Sequence, residues 1–180
     1  MEIIRTDALS KHFGPVKAVD DISLSVHAGE IYGFLGLNGA GKTTLIRILL
    51  GMIKADRGNL SLFGQPLGPQ FPLWNEVGYL VETPNAYPNL SVRENLEVFF
   101  RLRQLKDCAV IDNIITKLKL EKYRDIKSKN LSLGNRQRLG LAKAMMHRPK
   151  LLILDEPING LDPEGMREIR DIIKGLAADG

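Results

Sequence analysis

At 180 residues the chain is long enough for one sizeable core and short for two domains, and 44% hydrophobic with 26% charged residues is ordinary for a packed globular protein. The formal charge of +4 is scattered rather than gathered into one run, so it reads as a solvated surface and not as a nucleic-acid or acidic-lipid footprint. The lone Cys108 excludes an internal disulfide, and no apolar run approaches the roughly 18 to 20 residues that a membrane span needs.

In chain order, EIIRTDALS, DISLSV and EIYGFLGL read as short strands separated by turn signals at Gly14-Pro15 and Ala28-Gly29. KTTLIRILLGMI follows with a helical apolar face through Leu45, Ile48, Leu49 and Met52. GNLSLFG and NEVGYLVE are further strand candidates, set among proline-rich loops. Helix then takes over. Ser91 and Glu94 form a capping box ahead of a face of Val92, Leu96, Phe99 and Phe100, and AVIDNIITKLKL supplies a second apolar stripe in which Cys108 reads as a packed thiol. A third helix is expected from about Asn135 to His147, closed by Pro149, before the buried strand KLLILDEP. His12, His27 and His147 have no ligand-like spacing with each other or with Cys108, which argues against zinc and leaves them as surface or satisfied core. MREIRDIIKGLAADG carries Ile169, Ile172, Ile173 and Leu176 at helical spacing, a helix that should feed another strand. The organisation is an α/β core interrupted by a largely helical insert over about residues 83–148.

Three stretches carry chemistry. GLNGAGKTT, residues 36–44, fits G-x-x-x-x-G-K-[ST] through Gly36, Gly41, Lys42 and Thr43. It follows a predicted strand and opens a predicted helix, the context in which backbone N–H groups cradle phosphate, lysine offers a charge and threonine a hydroxyl for Mg2+. LLILDEP puts Asp155 and Glu156 at the C-terminal end of a strand, where open parallel sheets bind ligands; Asp155 suits Mg2+ and Glu156 suits polarising a water, although two acids could equally begin a solvated loop. LSLGNRQR, residues 131–138, joins Ser132 and Gly134 to a helix start, which alone reads as a cap and with the other two motifs as an anion site.

In this order the motifs resemble the ATP-binding-cassette family over essentially the whole chain: GLNGAGKTT its P-loop, LSLGNRQR its signature, LLILDEP its acidic strand and NGLD its D-loop. The resemblance implies a P-loop NTPase of the cassette type, with a mainly parallel core sheet, an N-terminal antiparallel part and the helical subdomain within a single domain. It implies ATP and Mg2+ as ligands, with Asn38, Gly39, Ala40, Gly41, Lys42, Thr43 and Thr44 around the phosphates and Phe13 stacked on adenine, a residue that would otherwise be core. Thr43 and Asp155 would hold the metal, with Lys42 and Glu156 in the catalytic set. Ser132 and Gly134 would contact the γ-phosphate held by a second subunit in a head-to-tail dimer, with Asp162 coupling the two sites.

Departures narrow the resemblance. Glu82 stands where the family has Gln, at a position that contacts Mg2+ and the attacking water; a carboxylate there would bind metal yet repel the γ-phosphate by about 4 kcal/mol at 4 Å and an effective dielectric of 20. Ile158 and Leu133 are further departures. VETPNAYPNLSVREN together with LSLGNRQRLGLA is most similar to ATP-binding subunits of bacitracin and lantibiotic-type peptide exporters, in which Glu at the Glu82 position and SLG both occur. The expected function is thus an ATPase that drives a separate transmembrane permease from the cytoplasmic face, without direct nucleic-acid contact. The rivals are a cassette acting on nucleic acid, for which the spacing from Gly41 to Ser132 leaves no coiled-coil arm, and a chain that binds ATP without hydrolysing it. In the family a strand ending in a γ-phosphate-sensing His comes next. The 180 residues are therefore expected to be a cassette cut before that His, competent in its motifs and weak as an isolated enzyme.

Overall fold

A computed structural model describes residues 1–81 and 85–178. It divides into two compact units, Met1–Pro72 with the residues from Ile173 on, and Leu73–Ile172.

In the first unit β1 (Glu2–Phe13) and β2 (Val16–His27) form the antiparallel hairpin that the Gly14-Pro15 turn signal calls for. With β3 (Arg57–Leu62) and the two-residue β4 (Gln65–Pro66) they make a sheet in the order β2-β1-β3-β4. Register shifts run along β1, and its side chains take up the backbone groups these release. The Thr6 hydroxyl donates to the Ile22 carbonyl and accepts from the Leu24 N–H, while Ser10 Oγ accepts from the Asp21 N–H. Ile3, Ile4, Leu9, Val19, Val26 and Leu62 are buried. The helix α1 (Lys42–Leu49) buries Leu45, Ile48 and Leu49 as its periodicity requires.

The strand expected over EIYGFLGL does not form. Residues 30–37 carry no strand pairing, and Ile31, Leu35 and Leu37 are 55, 93 and 85% exposed. The apolar pattern is there, but a strand persists only where a neighbour takes up its N–H and C=O groups. Among the described residues nothing pairs with this segment.

In the second unit β5 (Val77–Leu80) and β6 (Leu151–Leu154) pair in parallel, and four helices surround them: α2 (Val92–Leu102), α3 (Ala109–Lys117), α4 (Leu133–Met145) and the first part of α5 (Pro163–Ala178). The capping box of α2 forms as read, with Ser91 Oγ accepting from the Glu94 N–H at 3.2 Å and Glu94 Oε2 from the Ser91 N–H at 2.7 Å. Leu96, Ile115, Leu118, Leu120, Leu139 and Leu141 are fully enclosed. Cys108, however, is exposed rather than packed: it is in line with Ile111 and Ile115 but stands at the cap, ahead of the first turn of α3. Helix α4 starts two residues before the expected Asn135, since Ser132 is already its cap.

Candidate functional site

The phosphate loop belongs to the first unit. Gly41, at φ 87°, is the cap residue of α1 and offers no side chain to its first-turn N–H groups. A helix start without a side-chain cap is where backbone N–H groups can meet an anion, and no acidic side chain stands in that turn to compete. A Cβ on Gly41 would lie 1.8 Å from the Ala18 carbonyl oxygen of β2, so both the left-handed backbone and the close approach demand glycine. The preceding residues Asn38, Gly39 and Ala40 turn tightly, with Ala40 N–H donating to Leu37 O at 3.1 Å. Lys42 Nζ donates to the carbonyls of Gly36 and Leu37 at 2.8 and 2.9 Å, which holds its ammonium over the loop. Thr43 and Thr44 follow in the first turn, both half-buried. Phe13, at the end of β1, is 52% exposed and so is not core.

The second unit gathers the other motifs. The β6 ladder continues past Leu154, with Asp155 N–H donating to Leu80 O at 2.7 Å, and this leaves the Asp155 carboxylate buried at the strand end. Glu156 is exposed and has φ 46°, an uncommon conformation for a residue with a side chain. Its carbonyl is held from two sides, by Gln137 Nε2 at 3.1 Å and Asn159 N–H at 3.0 Å. Asn159 Nδ2 also reaches Glu156 Oε2 at 3.4 Å.

Ser132 Oγ accepts from the Asn135 N–H at 3.2 Å and so caps α4. A Cβ on Gly134 would stand 3.0 Å from the Gly160 carbonyl oxygen, so the signature and the loop after the acidic strand touch there. Asp162 Oδ1 accepts from the Gly165 N–H at 3.0 Å and Pro163 is the first residue of α5, a cap and first-turn pair that fixes the start of that helix. The structure thus brings Ser132, Gly134, Glu156 and Asp162 into one neighbourhood of this unit. Glu82 lies outside the described residues.

Sequence reasoning missed four polar residues here. Gln137 holds Glu156, and it is buried. Asn95 is fully buried; its Oδ1 accepts from the Tyr87 N–H and its Nδ2 donates to the carbonyls of Tyr87, Leu90 and Ser91. Ser128 Oγ donates to the same Tyr87 carbonyl at 2.7 Å. Lys143 donates to the Asn85 carbonyl and sits 5.0 Å from the centre of the Phe99 ring, with burial pushing its ammonium down to about 8. The available signal was position: Asn95 lies on the stripe of Val92, Leu96 and Phe99, and Lys143 stands inside the apolar run LAKAMM. His147 holds the Val77 carbonyl at 3.2 Å through Nε2, and burial lowers its affinity for a proton.

A sequence model described as ABC transporter matches residues 19–159. The chain is 43% identical over 178 residues to the bacitracin transport ATP-binding protein BcrA of Bacillus licheniformis, an alignment that covers 98% of this chain and 58% of that protein. It is 42% identical over 176 residues to BcrA of Enterococcus faecalis, covering 97% and 57%. The chain therefore spans less than two thirds of the length of these relatives. Among solved structures, a nucleotide-free ATP-binding cassette from an ABC transporter is similar with a TM-score of 0.82 and 30% identity, covering all of this chain and 79% of that one.

Proposed function

Since this chain belongs to the ABC transporter family and has its α/β cassette fold, we propose that it is the ATP-binding and ATP-hydrolysing part of a subunit that powers a separate membrane permease. The cargo in this reading is an antimicrobial peptide or similar compound, exported from the cell; the likeness to two bacitracin transport ATP-binding proteins supports it.

The observation that carries the reading is the phosphate loop. Its glycine-opened helix start carries no side-chain cap, and Lys42 stands beside the loop carbonyls of Gly36 and Leu37, the placement of charge and backbone that suits polyphosphate. Mg2+ takes hard oxygen ligands together with phosphate oxygens, and the Thr43 hydroxyl and the buried Asp155 carboxylate are of that kind. When bound it would neutralise charge on the phosphates. Lys42 would hold the γ-phosphate side of the nucleotide. Glu156 would accept a proton from the attacking water, its backbone held by Gln137.

Ser132 and Gly134 would face the nucleotide of a second subunit, and closure and opening of that dimer would reach the permease through the region from Glu82 to Arg93. No described helix is long and apolar enough to cross a membrane, so in this reading the permease holds the chain at the inner face. The test uses the full-length protein with its permease. Lys42→Ala should abolish nucleotide binding, whereas Glu156→Gln should bind ATP and hydrolyse it very slowly. Equal hydrolysis by Glu156→Gln and the unaltered protein would overturn the assignment of the base. For the cargo, cells expressing the pair should tolerate more bacitracin than cells carrying Lys42→Ala, and equal tolerance removes that part of the proposal.

A further inference from the structure

Phe13 is not a free ring. Lys11 Nζ stands 5.5 Å from its centroid, within the range in which a cation is attracted to the face of an aromatic. Lys11 has little freedom to leave, because Asp56 Oδ1 accepts from its Nζ at 2.7 Å and its side chain is only 17% exposed. The other oxygen of the same carboxylate accepts from the backbone N–H of His12 at 2.7 Å, and His12 Nδ1 lies 3.7 Å from it. Asp56 is itself fixed by its N–H, which donates to the Ser10 carbonyl at 2.9 Å. One carboxylate therefore ties the two residues before Phe13, side chain on one and main chain on the next. Those contacts hold it ionised, below the usual carboxylate range.

The register of β1 and β2 shifts between Lys11 and His12, where Asp56 grips the strand, and His12 and Phe13 then pair with Lys17 and Val16. With Lys11 drawn over its ring, Phe13 remains 52% exposed. A cation on one side of a π-system leaves the other side for a stacking partner and draws electron density away from it, which suits an electron-rich purine.

We propose that Lys11 and Asp56 are positioning residues for the base of the bound nucleotide: they hold the Phe13 ring with one face covered and one face open. This rests on the nucleotide-binding reading above. Phe13 touches the base, and Lys11 and Asp56 act through Phe13.

The test is ATP affinity, measured by calorimetry on the full-length protein, in a cycle of Lys11→Ala, Phe13→Ala and the double variant. Lys11→Ala should weaken ATP binding about two- to fivefold, the equivalent of an exposed cation–π contact, and should change nothing once Phe13 is alanine. Asp56→Asn should reproduce the effect of Lys11→Ala, and Lys11→Arg should restore affinity. Tripolyphosphate, which has no base to stack, should bind Lys11→Ala and the unaltered protein alike. Equal loss of ATP and tripolyphosphate affinity, an equal Lys11→Ala effect in both backgrounds, or no effect at all would overturn the proposal while the nucleotide reading stands. If the unaltered protein binds neither ligand, the nucleotide reading falls and the positioning role falls with it.

Discussion

Gln137, buried on the helix that Ser132 caps, donates its side-chain amide to the carbonyl of Glu156 at 3.1 Å. The acid assigned as general base is thus held in a left-handed backbone conformation by a residue of the signature helix. Gln137→Leu removes the donor and leaves that carbonyl with Asn159 alone. Turnover is expected to fall roughly ten- to hundredfold, the scale of a displaced catalytic group, with ATP affinity nearly unchanged. Steady-state hydrolysis set beside nucleotide binding checks the split, and a parallel loss of affinity would contradict it.

Asn95 makes four hydrogen bonds from a fully buried site, all to backbone between Tyr87 and Ser91. Asn95→Leu is nearly the same size but takes the acceptor from the Tyr87 N–H, whereas the three carbonyls keep donors from Ser128 and the main chain. The expected cost is about 1–3 kcal/mol, the scale of one buried unsatisfied group. Denaturant unfolding should show a lower midpoint with an unchanged slope. A change below about 1 kcal/mol would mean that the loop repacks.

Lys143 gives stability an alkaline slope. Its neighbours are the Asn85 carbonyl and the Phe99 ring, with Tyr79 and Arg103 lining the same small cavity; no carboxylate of the described residues pairs with it. Burial lowers its pKa from 10.5 to about 8. Between those values the unfolded chain keeps a proton that the folded chain has released, so stability rises as pH increases across that window. Lys143→Met should flatten this rise and be more stable than the parent near pH 7. Urea unfolding between pH 7 and 10.5 measures both, and an unchanged slope refutes the assignment.

The acid side runs the other way. Lys119 and Arg138 hold the Glu168 carboxylate below its ordinary range, and the Ser91 N–H and hydroxyl do the same for Glu94. Each contributes stability that is complete above the unfolded value near 4.5 and is lost as pH falls through the lower folded value. Glu168→Gln should therefore lose stability at pH 7 and show a shallower acid transition below pH 4.5. Melting temperatures at pH 7 and at successive steps below pH 4.5 would show it.

Much was legible because it is local. Gly14-Pro15 turns the hairpin, Ser91 and Glu94 start α2, Ser132 starts α4, and GAGKT joins an uncapped helix start to a lysine placed over its loop. Each needs only residues a few positions apart, so spacing and residue type are enough. The three motifs in order, with the helical stretch between them, were likewise sufficient to reach the family.

The rest was decided by partners far along the chain. Residues 30–37 have the composition of a strand, yet pairing is a property of two segments, and no described segment pairs with them. Lys11 meets an acid 45 positions away, Lys143 a carbonyl 58 positions away, and Gln137 a carbonyl 19 positions away. Periodicity could mark Asn95 and Lys143 as polar residues on apolar stripes but not name the groups they satisfy. The sequence by itself determined which chemistry this chain carries and where its helices begin. Tertiary structure alone decided which strands find a neighbour and which buried polar side chains hold the functional backbone in place, because a buried donor or acceptor is stable only against a partner that folding brings to it.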